Sequence, residues 1–182
     1  MPDKPRRDRI FGFLLLAVLA WHIAYVVRHL SSDYLFFVCY AANLLLALGL
    51  IFRSGLPVGV GFGWALIALP LWLRESFRTH DWELSCTVFH LAGVVLGGLA
   101  LPGYKLPRLT CVWAVLLGLF LQGASRLFTD EALNINAAFR VYEGWDTVFH
   151  SYPLYVLSMT LGFGLFFCAL TFVNNRLLYG RF

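Results

Sequence analysis

Six long apolar stretches, parted by short polar connections, set the pattern of this chain. They fall at about 10–27, 34–52, 58–73, 84–101, 109–128 and 152–173. A helix needs about 20 predominantly apolar residues, at 1.5 Å each, to cross a hydrocarbon core about 30 Å thick. The pattern therefore predicts an all-α integral membrane protein, a bundle of six transmembrane helices forming a single domain over residues 1–182. The third stretch is the shortest and contains Pro70, which predicts a kink or tilt there. Only a re-entrant third segment would reduce the count to five.

The polar connections predict an orientation. With the amino terminus in the cytoplasm, that side holds Lys4, Arg6, Arg7, Arg9, Arg53, Lys105, Arg108, Arg176 and Arg181, nine basic residues. The other side holds five: Arg28, Arg74, Arg78, Arg126 and Arg140. The excess of Lys and Arg marks the cytoplasmic face and puts both termini there. Trp21, Trp72, Trp82 and Trp145 then fall toward the outer interface, where an aromatic belt is expected. The first stretch follows a basic segment, as in a signal peptide, but five further apolar stretches make it read as a retained helix.

Composition agrees: 60% of the 182 residues are hydrophobic and 13% charged, against about 25% charged in a soluble domain. Mean hydropathy is +0.74. The net charge of +4 comes from residues beside apolar stretches, not from a basic face, so no nucleic acid is expected. The expected partners are membrane lipids, with a second copy or a membrane partner subunit left open. Gly59, Gly61, Gly63, Gly93 and Gly97 read as sites of close helix approach. The 129–151 connection is long for so small a chain and reads as an interfacial helix, a lid or a solvated connector.

Reactive side chains concentrate toward one side. All five histidines (His22, His29, His80, His90 and His150) lie in the predicted outer half, with Cys39 and Cys86. Cys39 and His90 each lie roughly 8–9 Å below the outer interface, counted at 1.5 Å per residue. A histidine within a span needs a partner, because burying it alone is costly. Three partnerships compete. His90 can activate Cys39 as a thiolate nucleophile toward an ester carbonyl. Cys86, four residues before His90 on the same helical face, can take that place or bond to Cys39 in an oxidising compartment. Histidines and cysteines can also bind a metal or haem, although no metal-ligand spacing is present and no metal or cofactor is expected. A histidine that merely bonds across helices is the plain alternative. Asn43, Gln122, Arg126, Asn134, Asn136 and His150 are the candidates to position a substrate or stabilise charge.

The order of these residues resembles a known family. Cys39 stands early in a span (Val38-Cys39-Tyr40-Ala41-Ala42-Asn43), and a later span carries Phe89-His90-Leu91-Ala92-Gly93. An asparagine-containing loop (Asn134-Ile135-Asn136) and a proline-aromatic entry (Tyr152-Pro153-Leu154-Tyr155) follow. This layout is similar to the YwaF-like bacterial integral-membrane proteins and to membrane-embedded lipid hydrolases and acyltransferases with a Thr or Cys nucleophile and a histidine. The sequence departs from that pattern at Tyr40, where an acidic residue is expected. The resemblance implies Cys39 as nucleophile, His90 as general base and acid, and a bacterial inner membrane. The expected function is an intramembrane hydrolase or acyltransferase acting on lipid acyl esters near the outer leaflet. Its rivals are a non-catalytic membrane subunit or small-solute carrier with structural or pH-sensing histidines, and a metal- or haem-binding membrane protein.

Overall fold

The computed structural model describes residues 4–80 and 82–180. Arg181, counted among the basic residues above, lies outside them. The described residues form six α-helices: α1 (Lys4–His29), α2 (Val38–Phe52), α3 (Gly55–Thr79), α4 (Leu84–Ala100), α5 (Thr110–Phe128) and α6 (Tyr152–Tyr179). Short 3-10 turns at Ser32–Phe36, Leu101–Gly103, Glu131–Leu133 and Ile135–Ala137 fill the connections, and there is no strand among the described residues. All helices but α2 are long and apolar enough to cross a bilayer; α2 is a shorter apolar helix. The chain is a multi-pass membrane protein.

Several boundaries differ from expectation, α1 reaching back to Lys4 and α6 on to Tyr179, and two of the differences have a local reason. The second apolar stretch begins at Tyr34 in sequence, but α2 begins at Val38. Ser31 Oγ accepts a hydrogen bond from the Asp33 amide at 3.3 Å, which starts a 3-10 turn, and extended Phe37 (ψ 140°) separates that turn from α2. The third stretch is longer than expected, because α3 runs through Pro70 to Thr79. The extra turns carry Arg74, Glu75 and Arg78 out to the 129–151 segment.

The connections gather at two poles. At the terminal pole, where the described chain begins and ends, Tyr104 donates to Asp8 Oδ2 at 3.2 Å. Asn175 accepts from the Leu106 amide at 2.9 Å and donates to the Leu106 carbonyl at 2.8 Å. Burial and the neighbouring Asp8 carboxylate push the Tyr104 phenol up to about 12. At the opposite, loop pole, Asp33 Oδ2 accepts from the Asp130 amide at 2.8 Å, and Arg74 donates to the Glu143 carbonyl at 3.0 Å.

Helices α1 to α4 pack on one another, while α5 and α6 form a hairpin joined to them chiefly through α3. Half of the apolar window of α3 is buried, against 11% for α5 and for α6. Small residues permit the closest approaches, as expected. A Cβ at Gly61 would stand 2.5 Å from the Ala42 carbonyl, and one at Gly97 would stand 2.6 Å from Phe62. Trp64 anchors the hairpin, its indole N–H donating to the Ala114 carbonyl at 3.1 Å.

Candidate functional site

Cys39 and His90 come to the same level of the bundle, yet no hydrogen bond joins them among the described residues. Cys39 is buried in a cluster with Leu19, Val26, Tyr40, Ala68 and Phe89. His90 is turned to its own helix: its Nδ1 lies 2.9 Å from the Cys86 carbonyl oxygen and 3.7 Å from Cys86 Sγ. A carbonyl can only accept, so Nδ1 carries the proton and Nε2 the lone pair. The Trp72 indole stacks on the ring at 5.2 Å. The expected Cys39–His90 dyad is thus replaced by an intrahelical contact to Cys86, because a residue four positions earlier is already within reach of the ring.

A second histidine has the richer set of partners. His22, on α1, is 4% exposed and packs against Tyr40 of α2, stacked at 5.4 Å, and Phe89 of α4, stacked at 4.6 Å, rings that also touch each other at 5.1 Å. Its Nδ1 is 2.9 Å from Ser85 Oγ. The Ser85 hydroxyl donates to Glu83 Oε2 at 2.6 Å. A hydroxyl has one proton to give, so with it committed to Glu83 the oxygen accepts from His22 Nδ1–H. Glu83 Oε2 also accepts the Cys86 amide at 2.6 Å, capping the start of α4. Burial alone would raise the Glu83 carboxyl, but the hydrogen bonds from Ser85 and Cys86 hold it below the ordinary glutamate range.

This order is not that of a hydrolytic triad, in which histidine stands between carboxylate and hydroxyl. Here the hydroxyl stands in the middle, and Ser85 is 1% exposed, so it is a bridge and not a nucleophile facing a substrate. Glu83 and Ser85 were not among the residues singled out from sequence. Two signals pointed to them: an acidic residue directly before an apolar helix is a capping position, and a histidine in the interior of α1 demands a buried polar partner.

The remaining candidates do not converge on Cys39 and His90. Asn43 donates to the Cys39 carbonyl at 3.0 Å, and its buried Oδ1, without a hydrogen-bond partner, faces Gly93. Asn136 accepts from the Val38 amide at 3.0 Å and donates to the Phe36 carbonyl at 2.7 Å and to Ser125 Oγ at 3.0 Å. It ties the 129–151 strap to the start of α2. Asn134 accepts from the Phe139 and Arg140 amides at 3.0 and 3.1 Å. Gln122 donates to the Ala137 carbonyl at 3.1 Å, and Arg126 Nε donates to the Ala138 carbonyl. His150 is exposed on the strap.

Five side chains expected to hold substrate therefore hold backbone. The strap itself is not an interfacial helix, and it is packed around Ile135 and Ala138 while residues 143–148 are exposed. Asn134, Asn136 and Ala137 have left-handed φ of 46°, 53° and 51°, which breaks any helix, and Ile135 and Ala138 are fully buried.

Elsewhere, Leu45, Leu56, Pro57, Val60, Trp113 and Phe120 help line an open apolar groove of about 380 Å³ between α2, α3 and α5. It lies apart from the histidines and its lining is almost wholly apolar. Among the described residues, no three His, Cys, Asp or Glu side chains come together in a way that could hold a metal ion. Comparison with known protein families, curated proteins and solved structures finds no match for the chain.

Proposed function

We propose that the chain crosses the bilayer six times, α2 included, with both termini cytoplasmic and the loop pole outward. We further propose that it is a small-solute carrier whose buried histidines take up and release protons. One observation carries this reading: two imidazoles, His22 and His90, are buried at the loop pole, 4% and 8% exposed. Each has Nδ1 in a hydrogen bond to an oxygen. Ionisable side chains inside spans of membrane proteins mark ion and proton paths, and histidine is the side chain that exchanges protons near neutral pH. The excess of basic residues at the terminal pole supports the orientation.

The test is proton movement into vesicles containing the purified protein and an internal pH dye. Protein-dependent acidification after an external acid step is expected, with loss in His22→Gln and reduction in His90→Gln. Vesicles no faster than protein-free lipid would exclude a proton-coupled carrier.

A second reading keeps the thiol chemistry. Cys86 Sγ stands 3.7 Å from His90 Nδ1, Cys86 is only half-buried, and the residue order resembles the YwaF-like membrane proteins and their Cys–His lipid hydrolase and acyltransferase relatives. On this reading a thiolate attacks a lipid acyl ester from the outer leaflet, and the resemblance would set it in a bacterial inner membrane. A thiol-directed lipid-ester probe separates the two readings. Labelling that disappears in Cys39→Ala or Cys86→Ala and falls in His90→Ala supports the enzyme. Labelling that is indifferent to His90 removes it.

A further inference from the structure

The path by which a proton reaches the buried imidazole can be traced atom by atom. We infer that Glu83, Ser85 and His22 form a proton relay, with Glu83 as the water-facing end and His22 as the buried end; the inference rests on the proton-carrying reading above. Its two links measure 2.6 Å and 2.9 Å, both within hydrogen-bond range. Its ends are both titratable, which distinguishes it from the side chain-to-backbone bonds of the strap. Glu83 is half-buried where α4 starts, whereas Ser85 and His22 are buried, so the three residues lead from the edge of the bundle inward.

Transfer balances without any added reagent. A proton on the Glu83 carboxyl passes to Ser85 Oγ as the Ser85 hydroxyl proton passes to His22 Nδ1. This leaves a carboxylate, a hydroxyl and an imidazolium. The imidazolium then gives its Nε2 proton to a water molecule, which leaves as hydronium, and keeps the one on Nδ1. The product is the arrangement in the structure, a carboxylate accepting from a hydroxyl that accepts from Nδ1–H. Moving another proton inward requires the ring to return to the Nε2–H tautomer, so the relay passes one proton per tautomer change.

The groups that face His22 come from every element packed against α1. Helix α1 packs against α2, α4 and the 32–36 turn. From α2, Tyr40 stacks on His22, and Cys39 shares the packed cluster. From α4, Glu83 acts on His22 electrostatically, as does His90, which disfavours a second charge beside it; Cys86 stands next to His90. On α1 itself, Tyr25 and His29 stack on each other. From the turn, Asp33 is engaged with the Asp130 amide and Tyr34 packs on Phe37.

The test uses the full-length protein in vesicles with the internal pH dye, together with 15N NMR of labelled histidine. In the wild type, His22 should show the Nδ1–H tautomer. Ser85→Ala should slow acidification about tenfold, the effect of one missing hydrogen-bonded link. Ser85→Thr, which restores the hydroxyl, should recover it, Glu83→Gln should resemble Ser85→Ala, and Cys168→Ala on the exposed face of α6 should match the wild type.

Protein-dependent acidification that Ser85→Ala leaves unchanged would overturn the relay while the carrier stands. A His22 Nδ1 signal that Ser85→Ala leaves unchanged would overturn it whatever the flux. Wild-type vesicles no faster than lipid would overturn the carrier and the relay together.

Discussion

Two polar clusters share the loop pole and differ in what their side chains touch. Around Asn136, amide and guanidinium groups reach backbone: Asn136 to Val38 and Phe36, Asn134 to Phe139 and Arg140, Gln122 to Ala137, Arg126 to Ala138. Around His22 the bonds run from side chain to side chain, and the chain they make ends in two groups that change charge. Backbone partners are fixed donors or acceptors, so the first cluster can only hold a shape. The second can pass a proton along, because each of its members both gives and receives. Proximity to a membrane surface is common to both; connectivity separates them.

The sharpest way to break this contrast is to cut each cluster once. Asn136→Ala removes three hydrogen bonds and frees the start of α2, so it should cost about 3 kcal/mol of stability, seen as a lower thermal midpoint in detergent. The His22 tautomer should survive in whatever fraction stays folded. Asn175→Ala, the equivalent cut at the terminal pole, removes the two bonds to Leu106 and should cost about 2 kcal/mol. Ser85→Ala should cost only about 1 kcal/mol of stability yet show the larger change in proton movement. If Asn136→Ala slows protons more than Ser85→Ala at equal folded protein, the contrast is wrong.

A subtler comparison uses pH. The Glu83 carboxyl is held below its ordinary range in the folded state. The stability it contributes is therefore complete above the ordinary glutamate range and is lost as pH falls through the folded value. Glu83→Gln should flatten that acid limb of the melting curve, whereas Asn136→Ala should shift the whole curve and keep its shape. The smallest expected effect is at Ala137, held at φ 51°. Ala137→Gly removes left-handed strain but frees the unfolded chain, for a net gain of less than about 1 kcal/mol. It should leave proton movement alone.

How much of this was legible in sequence depended on the range of the cause. The apolar runs are local, and α4 and α5 lie close to where hydropathy puts them. Helix α2 started late because residues 34–37 are as apolar as those that follow; the Ser31 cap and the extended Phe37, not hydropathy, decide its boundary. The level of Cys39 and His90 followed from counting residues, but helix rotation does not, and His90 turned to Cys86 on its own helix. His22 and Ser85 are 63 positions apart, and nothing in spacing brings α1 beside α4. Asn134 and Asn136 looked like ligand-holding residues because an asparagine that holds backbone and one that holds substrate read identically in sequence. Their tolerance of left-handed backbone was the available hint.

The brevity of α2 reaches beyond packing. Its 15 residues span about 22 Å, short of a hydrocarbon layer about 30 Å deep. It lies among α1, α3 and α4, so the shortfall is filled by protein at both ends: the 32–36 turn and the Asn136 clasp at one, the Arg53 turn at the other. On the six-span reading proposed above, those flanking turns and the clasp must carry the chain through the rest of the hydrocarbon layer.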